Sequence, residues 1–596
     1  MPLLTCTMSL HTVIDDDETG STMWGVFMTI NGGELLARAL DAADLHEVFT
    51  LHGGHLDAFL VSCGKYGIRL TDTRHESTAG HAADAWARQT GRVGVCVTTS
   101  GPGFTNTYTA IANAYLDAIP VLFIVGAPPL REAETNPLQG GFDQVAAAAP
   151  VTKWTHRVTH GARIPELVAL ALRTAQSGRP GPVLLEIPID VMFSPVDESP
   201  VRMPDFGTPP RTAPTGSQVD AALGLLARAE RPVLLFGGGA ARSDCARELA
   251  EFAELLSLPV FVPNKGDGVL PAGHRLSAGG LMPLSLLPQA VGAPDVAVLI
   301  GGREGMFTGG RSGPLSQASV IHINTDAVEI GRLNDSAVAI GADCRETLSA
   351  LITAAHDRTL PDFGEWAQQA VSMQHFHQAM FTETDTASGR VHPYFAAKEI
   401  IAALPPRTVV VLDGAEAPAW AEFHLAPSEP NSTLRLGYLG CLGVGPGFAI
   451  GARRADPDRP VAIITGDGAA GFHLGEFDTM ARHGIPAVTM VFNNASWGMS
   501  QHGQQAVFGE SGRVVSALAD SAYEQVAIAF GGYGERVERL EDVGPAIRRA
   551  FASGKPAAIN IAVDAEVVHP LTLAMLGDLS ATDSIVIPYY DNIPVA

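Results

Sequence analysis

Cysteine is scarce in this chain, with six in 596 residues (Cys6, Cys63, Cys96, Cys245, Cys344 and Cys441) and no two spaced as a CxxC pair. That scatter argues against a disulfide framework or a zinc module and predicts a reduced, cytoplasmic protein. Basic residues are also in deficit: 39 Lys and Arg stand against 63 Asp and Glu, a net charge of −24. A nucleic-acid partner needs a basic face for its phosphates, so none is expected. Long apolar runs are missing as well. None approaches the ~18 residues of a membrane helix, and candidates such as Pro120–Gly126 have the length of a buried strand. Residues 1–27 lack Lys and Arg and include Asp15-Asp16-Asp17-Glu18. A secretory signal needs a basic start and a transit peptide is Arg-rich, so this stretch is expected to be a disordered tail or an over-long start, with regular patterning from Met28.

What is present is apolar material and glycine: 46% hydrophobic residues, 17% charged, and 63 Gly. This length and composition suit several domains with full cores. Three segments each repeat a short Val/Ile-rich run, a Gly-rich turn and a helical stretch, the grammar of a parallel sheet. The first occupies about 28–195, with strands at Arg92–Thr98, Val121–Gly126 and Gly181–Pro188. A Pro-rich linker, Met203–Pro214, leads to the second at 216–358, with strands at Arg231–Phe236, Pro259–Pro263, Val296–Ile300 and Val320–Asn324. A polar, helix-prone connection over 359–391 precedes the third at 392–565, with strands at Thr408–Leu412, Val461–Thr465, Ala487–Phe492 and Ala557–Ala562. Residues 566–596 read as a lid or packing tail. The expected class is α/β, three doubly wound parallel-sheet domains in series.

The third segment carries the strongest chemical signal. Its strand Val461–Thr465 runs into Gly466-Asp467-Gly468, and the next strand ends at Asn493-Asn494, followed by Ala495-Ser496-Trp497-Gly498. Gly466 to Asn494 spans 29 residues. Both ends fall where neighbouring parallel strands finish, at the crevice where open α/β sheets bind ligands. Glycines let backbone amides approach an anion, and a helix after Gly468 would point its positive end there. Asp467 and the Asn494 amide oxygen are hard ligands suited to a magnesium ion that also holds phosphate oxygens. The pattern describes a magnesium–diphosphate site.

This spacing resembles the signature of thiamine-diphosphate enzymes, and the likeness runs along almost the whole chain from Met28, most closely to the benzaldehyde-lyase and acetolactate-synthase-like group. Shared-looking segments include Leu51–Asp57 (LHGGHLD), Asp72–Glu76 (DTRHE), Gly103–Asn106 (GFTN), Asp143–Ala147 (DQVAA), Tyr438–Gly445 (YLGCLGVG) and Gly475–Thr479 (GEFDT). The resemblance implies that the first domain binds the pyrimidine ring and the third the diphosphate, with a homodimer or homotetramer completing the sites. It makes Glu76 the acid that hands a proton to the aminopyrimidine and so activates the thiazolium carbon, a role suited to a carboxyl against an apolar wall. His55 becomes a proton relay to the substrate oxygen, and Gln139 a hydrogen-bond donor to it. Gly414 and Ala415 would lie beside the diphosphate, Gly440 and Leu442 against the pyrimidine. Asp467, Gly468, Ala469, Asn494, Ser496, Trp497 and Gly498 would line the cofactor, with Asp467, Asn494 and Ser496 holding the metal.

The chain also departs from that pattern. Pro418 stands where the lyase has tyrosine, Glu416 replaces an apolar residue, Leu436 a histidine and Met499 an alanine, which narrows the expected pocket and favours small aliphatic substrates. In the middle segment Gly237-Gly238-Gly239 lacks the further glycine and the helix start of a dinucleotide fingerprint, so FAD is not expected. The expected activity is making or breaking the carbon–carbon bond of 2-hydroxyketones and aldehydes. Acetolactate synthesis from a 2-oxo acid and 2-hydroxyacyl-CoA cleavage are the alternatives, with a non-catalytic nucleotide-binding homologue as a different class.

Overall fold

The computed structural model describes residues 30–576, apart from positions 137, 264, 272, 312 and 428, together with Leu579 and the pairs 584–585 and 593–594. The tail expected over 1–27 and most of the segment after 576 lie outside the described residues.

Val, Ile and Leu runs bury both faces of their strands, so the chain forms parallel sheets sandwiched by helices. Among the described residues there are three such sheets, of six, five and six strands, and every pairing within them is parallel. With strands numbered within each domain, the first and third sheets share the order 2-1-3-4-6-5, and the central one runs 2-1-3-4-5. Each therefore has its switch point between its first and third strands, where a crevice opens beyond the carboxyl ends. A short antiparallel pair, Ile30–Asn31 with Pro195–Val196, ties the start of the first domain to its end.

The strands match the sequence reading to within a few residues; Val296–Ile300 and Ala557–Ala562 coincide with it. Within the three parallel sheets four strands went unforeseen: Trp154–Arg157, Ser336–Ile340, Thr433–Arg435 and Tyr533–Val537. They are edge strands, only partly buried, and lack the apolar runs that mark central ones. The connection after 358 is helical over Gly364–Ser372, but it is less polar in place than in sequence, because His377 is buried.

The first domain and one face of the third sheet share one continuous core, the other face of the third sheet has a second core, and the central domain has its own. At the junction of the first and third domains the helix Glu76–Thr90 crosses the helix Gly445–Ala455 on small residues. A Cβ on Gly451 would lie 2.2 Å from the Ala82 carbonyl oxygen, and one on Gly447 would lie 2.7 Å from the His81 Cβ. This contact sets the Glu76 helix against the third domain of its own chain.

Candidate functional site

At the switch point of the third sheet, strand Val409–Asp413 ends beside strand Val461–Gly466, and strand Val488–Asn493 ends next to it. Asp467 is buried at this edge. Its Oδ1 accepts the Gly468 N–H at 3.0 Å and its Oδ2 the Ser496 N–H at 3.2 Å. The Asn494 Oδ1 accepts the same Ser496 N–H at 3.1 Å, so Asp467, Asn494 and Ser496 converge through one backbone amide. Burial pushes the Asp467 carboxyl up to about 7 against the pull of these N–H groups, the condition of an acid awaiting a counter-charge. The Ser496 hydroxyl is buried without a hydrogen-bond partner. Two amide and carboxylate oxygens beside an orphaned hydroxyl are hard donors, and the residues fit a magnesium ion.

The surrounding backbone is built for close approach. Gly414 adopts φ +106°, and Ala415 is exposed beside it. A Cβ on Gly468 would strike the Trp497 ring at 2.5 Å, so the indole covers that glycine. Ala469 is buried behind it. The helix expected after Gly468 begins one residue earlier and lasts a single turn, Asp467–Ala470. That turn is too short to carry much dipole toward an anion. Asn493 anchors the loop: its Nδ2 donates to Asp520, Ser521 and Asn560, and its Oδ1 accepts the Ala495 N–H at 3.2 Å.

The other candidate residues gather at the same end of the first sheet. Glu76 opens its helix, 7% exposed, and accepts from Asn106 Nδ2 at 3.0 Å. His55 is half-buried, its Nδ1 3.2 Å from Thr99 Oγ1, and burial lowers its pKa, so it stands neutral near pH 7. Gln139 is exposed in a left-handed turn, φ +54°, and its carbonyl accepts from the Ser100 hydroxyl. The turn Thr99–Gly101 thus touches both His55 and Gln139, and the helix it starts supplies Asn106. His52 is a surface residue, its Nε2 3.0 Å from Asp57.

Among the described residues no hydrogen bond joins the Glu76–His55–Gln139 group to the Asp467–Asn494–Ser496 group. Leu442 is half-buried and Gly440 exposed, on a loop held by a carboxylate that sequence reasoning missed. Asp413 accepts the N–H groups of Gly443 at 3.0 Å and Gly445 at 2.9 Å, and burial raises its pKa to about 6. Glu476 was missed too. Buried, it accepts the backbone N–H groups of Arg74 and His75 at 3.0–3.2 Å, tying the turn before Glu76 to the third domain. An acid ending an apolar strand, or standing in the quoted GEFDT segment, was the available signal. Leu436 packs against the shared core.

The central domain requires one correction. A helix does start at its glycine turn: strand Pro232–Phe236 runs through Gly237 into Gly238–Arg242. The missing fingerprint glycine is replaced by backbone contact, since a Cβ on Gly237 would sit 2.5 Å from the Gly302 Cα. The turn opens on a cavity of about 280 Å³ whose wall carries Arg242 and four cations each paired with an acid of the same wall, Arg179 with Asp326, Arg211 with Asp343, Lys265 with Asp117 and Arg303 with Glu329.

Glycine-lined strand ends and converging hard oxygens make this an α/β protein whose residues fit a divalent cation at the edge of the third sheet. The comparisons make the class specific. Family models for the N-terminal, central and C-terminal domains of thiamine pyrophosphate enzymes match residues 30–147, 219–351 and 413–561. The chain belongs to the thiamine pyrophosphate enzyme family. It is 34% identical to a probable acetolactate synthase of Mycobacterium bovis over 91% of this chain and 97% of that one. It is 30% identical to a probable acetolactate synthase large subunit of Methanocaldococcus jannaschii, covering 91% and 93%. Identity to 2-hydroxyacyl-CoA lyase 2 of Caenorhabditis elegans is 32%, over 85% and 84%.

Proposed function

We propose that the protein makes or breaks the carbon–carbon bond next to a carbonyl, using thiamine diphosphate and magnesium, on a small 2-oxo acid or 2-hydroxyketone. The convergence of Asp467, Asn494 and Ser496 at the sheet's switch point carries this reading. The bound cofactor supplies a nucleophilic carbon able to attack a carbonyl and to delocalise the negative charge that follows. Asp467, Asn494 and Ser496 hold the metal, and the amides around Gly414 and Gly468 receive the diphosphate. Glu76 exchanges a proton with the pyrimidine ring, Asn106 fixing its carboxyl. His55, neutral and half-buried, moves a proton at the substrate oxygen, and Gln139 donates a hydrogen bond to it. The two groups of residues lie on separate sheets without contact, which favours a homodimer in which Glu76 of one chain faces Asp467 of the other.

Similarity to acetolactate synthases favours a 2-oxo acid donor over benzoin-like substrates, and the half-buried Met499 beside Gly498 suits small acyl groups. The central cavity favours a second reading, a substrate with a nucleotide handle such as a 2-hydroxyacyl-CoA, its phosphates meeting the cavity's arginines. Parallel assays with pyruvate, acetoin, benzoin and a 2-hydroxyacyl-CoA separate the readings. Turnover of pyruvate or acetoin is expected, CoA-thioester cleavage alone would establish the second reading, and benzoin cleaved fastest would reject the small-substrate pocket.

A further inference from the structure

Glu416 follows the Gly414-Ala415 turn, so a carboxylate borders the wall that the reading above gives to a diphosphate. Two like charges there repel unless something compensates. The compensation is visible on the neighbouring helix, Gly498–Phe508, whose His502 is buried. Its Nδ1 lies 2.8 Å from Glu416 Oε1, with the two side chains 1% and 10% exposed. Its Nε2 lies 2.8 Å from the Ala565 carbonyl oxygen. A carbonyl can only accept, so Nε2 carries a proton, and Nδ1 faces a carboxylate oxygen that already accepts from the Thr572 hydroxyl at 2.6 Å. With both ring nitrogens on acceptors, the arrangement is satisfied by an imidazolium against a carboxylate.

We propose that Glu416 and His502 form a buried ion pair that positions the walls of the diphosphate site and cancels a carboxylate charge that would otherwise face the cofactor. The inference rests on the thiamine-diphosphate reading. Glu416 Oε2 packs on the start of the His502 helix, 3.0 Å from where a Cβ on Gly498 would stand, and that same point is 2.8 Å from Asn494 Nδ2. The pair thus braces the 414–415 turn, the 494–498 loop and the segment that follows the last strand of the sheet, the carboxylate through Thr572 and the imidazole through Ala565. The other charged groups nearby are already matched: Glu566 pairs with Arg513 at 2.6 Å, and Asp564 accepts the N–H groups of Glu566 and Val567. The pair is a positioning pair and takes no part in the bond-making step.

Two measurements on the full-length protein test it. In a ¹⁵N-histidine spectrum at pH 7, with the signal assigned by its loss in His502→Gln, both His502 ring nitrogens should appear protonated. A neutral ring would overturn the proposal. Calorimetric titration of thiamine diphosphate with saturating magnesium should show His502→Gln weakening affinity by roughly 10–100-fold, the usual consequence of stranding a buried charge. Adding Glu416→Gln to that variant should recover most of the loss, because the stranded charge is then gone. A double variant no tighter than His502→Gln would also overturn the proposal. If the natural chain itself fails to bind thiamine diphosphate, the cofactor reading falls, and the spectrum still decides the pair.

Discussion

Glu76 and Asp467 are both buried carboxyls that open a helix, yet their neighbours suit them to different proposed roles. Asn106 donates one neutral hydrogen bond to Glu76 Oε2, which fixes the carboxyl for the role proposed at the pyrimidine ring. Asp467 receives two backbone N–H groups and stands beside an orphaned hydroxyl, which suits a fixed cation. Glu76→Gln should therefore fold and bind cofactor with unchanged affinity while turnover falls by about 10²–10⁴, the usual worth of positioned acid–base catalysis. Proton exchange at the thiazolium carbon, followed by NMR, checks it; exchange at the natural rate would remove Glu76 as the activator. Asp467→Ala should lose cofactor binding in calorimetry with magnesium present, and undiminished affinity would reject the metal assignment.

At the scale of elements, the two outer sheets place function at equivalent points. In the third domain the first, third and fourth strands end beside Gly414, Asp467 and Asn494; in the first domain the first and third lead to His55 and the Thr99–Gly101 turn, and Glu76 follows the second. This much was legible in the sequence, because central parallel strands are continuous apolar runs that stop at glycine. Edge strands such as Tyr533–Val537 were not legible, since one face and one ladder are exposed and their residues are mixed. Nor were Asp413 and Glu476, whose roles come from N–H groups far away in sequence, a relation only the fold creates. The aromatic cluster under the last helix was hidden for the same reason. There His569 stacks on Phe423 at 4.8 Å, His424 lies 4.6 Å from Tyr394, and burial lowers their pKa values to about 3 and about 4 from an ordinary 6.5. Each imidazole binds its proton more readily unfolded than folded, so stability is complete above about 6.5 and is lost as pH falls toward 4. Urea midpoints measured between pH 7.5 and 4.5 should decline accordingly, and replacing His569 with Phe should flatten part of that decline; a variant with the natural slope would contradict the assignment.

At the scale of the whole molecule, no helix among the described residues is long and apolar enough to cross a membrane. Within one chain the Glu76 turn is clamped by Glu476 and the Glu76 helix is pressed on the Gly447–Gly451 stripe, so its position is set by its own diphosphate-side domain. Among the described residues no hydrogen bond joins its carboxyl to the Asp467–Asn494–Ser496 loop of that domain, and the proposed site therefore takes its other half from a second copy of the chain. The most direct test is subunit complementation between Glu76→Gln and Asp467→Ala, each inactive alone, mixed under conditions that exchange subunits and assayed with thiamine diphosphate, magnesium and the substrate the natural protein turns over. Random exchange makes about half the dimers mixed, each with one intact site, so the account predicts recovery of about a quarter of natural activity. A mixture as inactive as its components, with mixed dimers demonstrated, would contradict it.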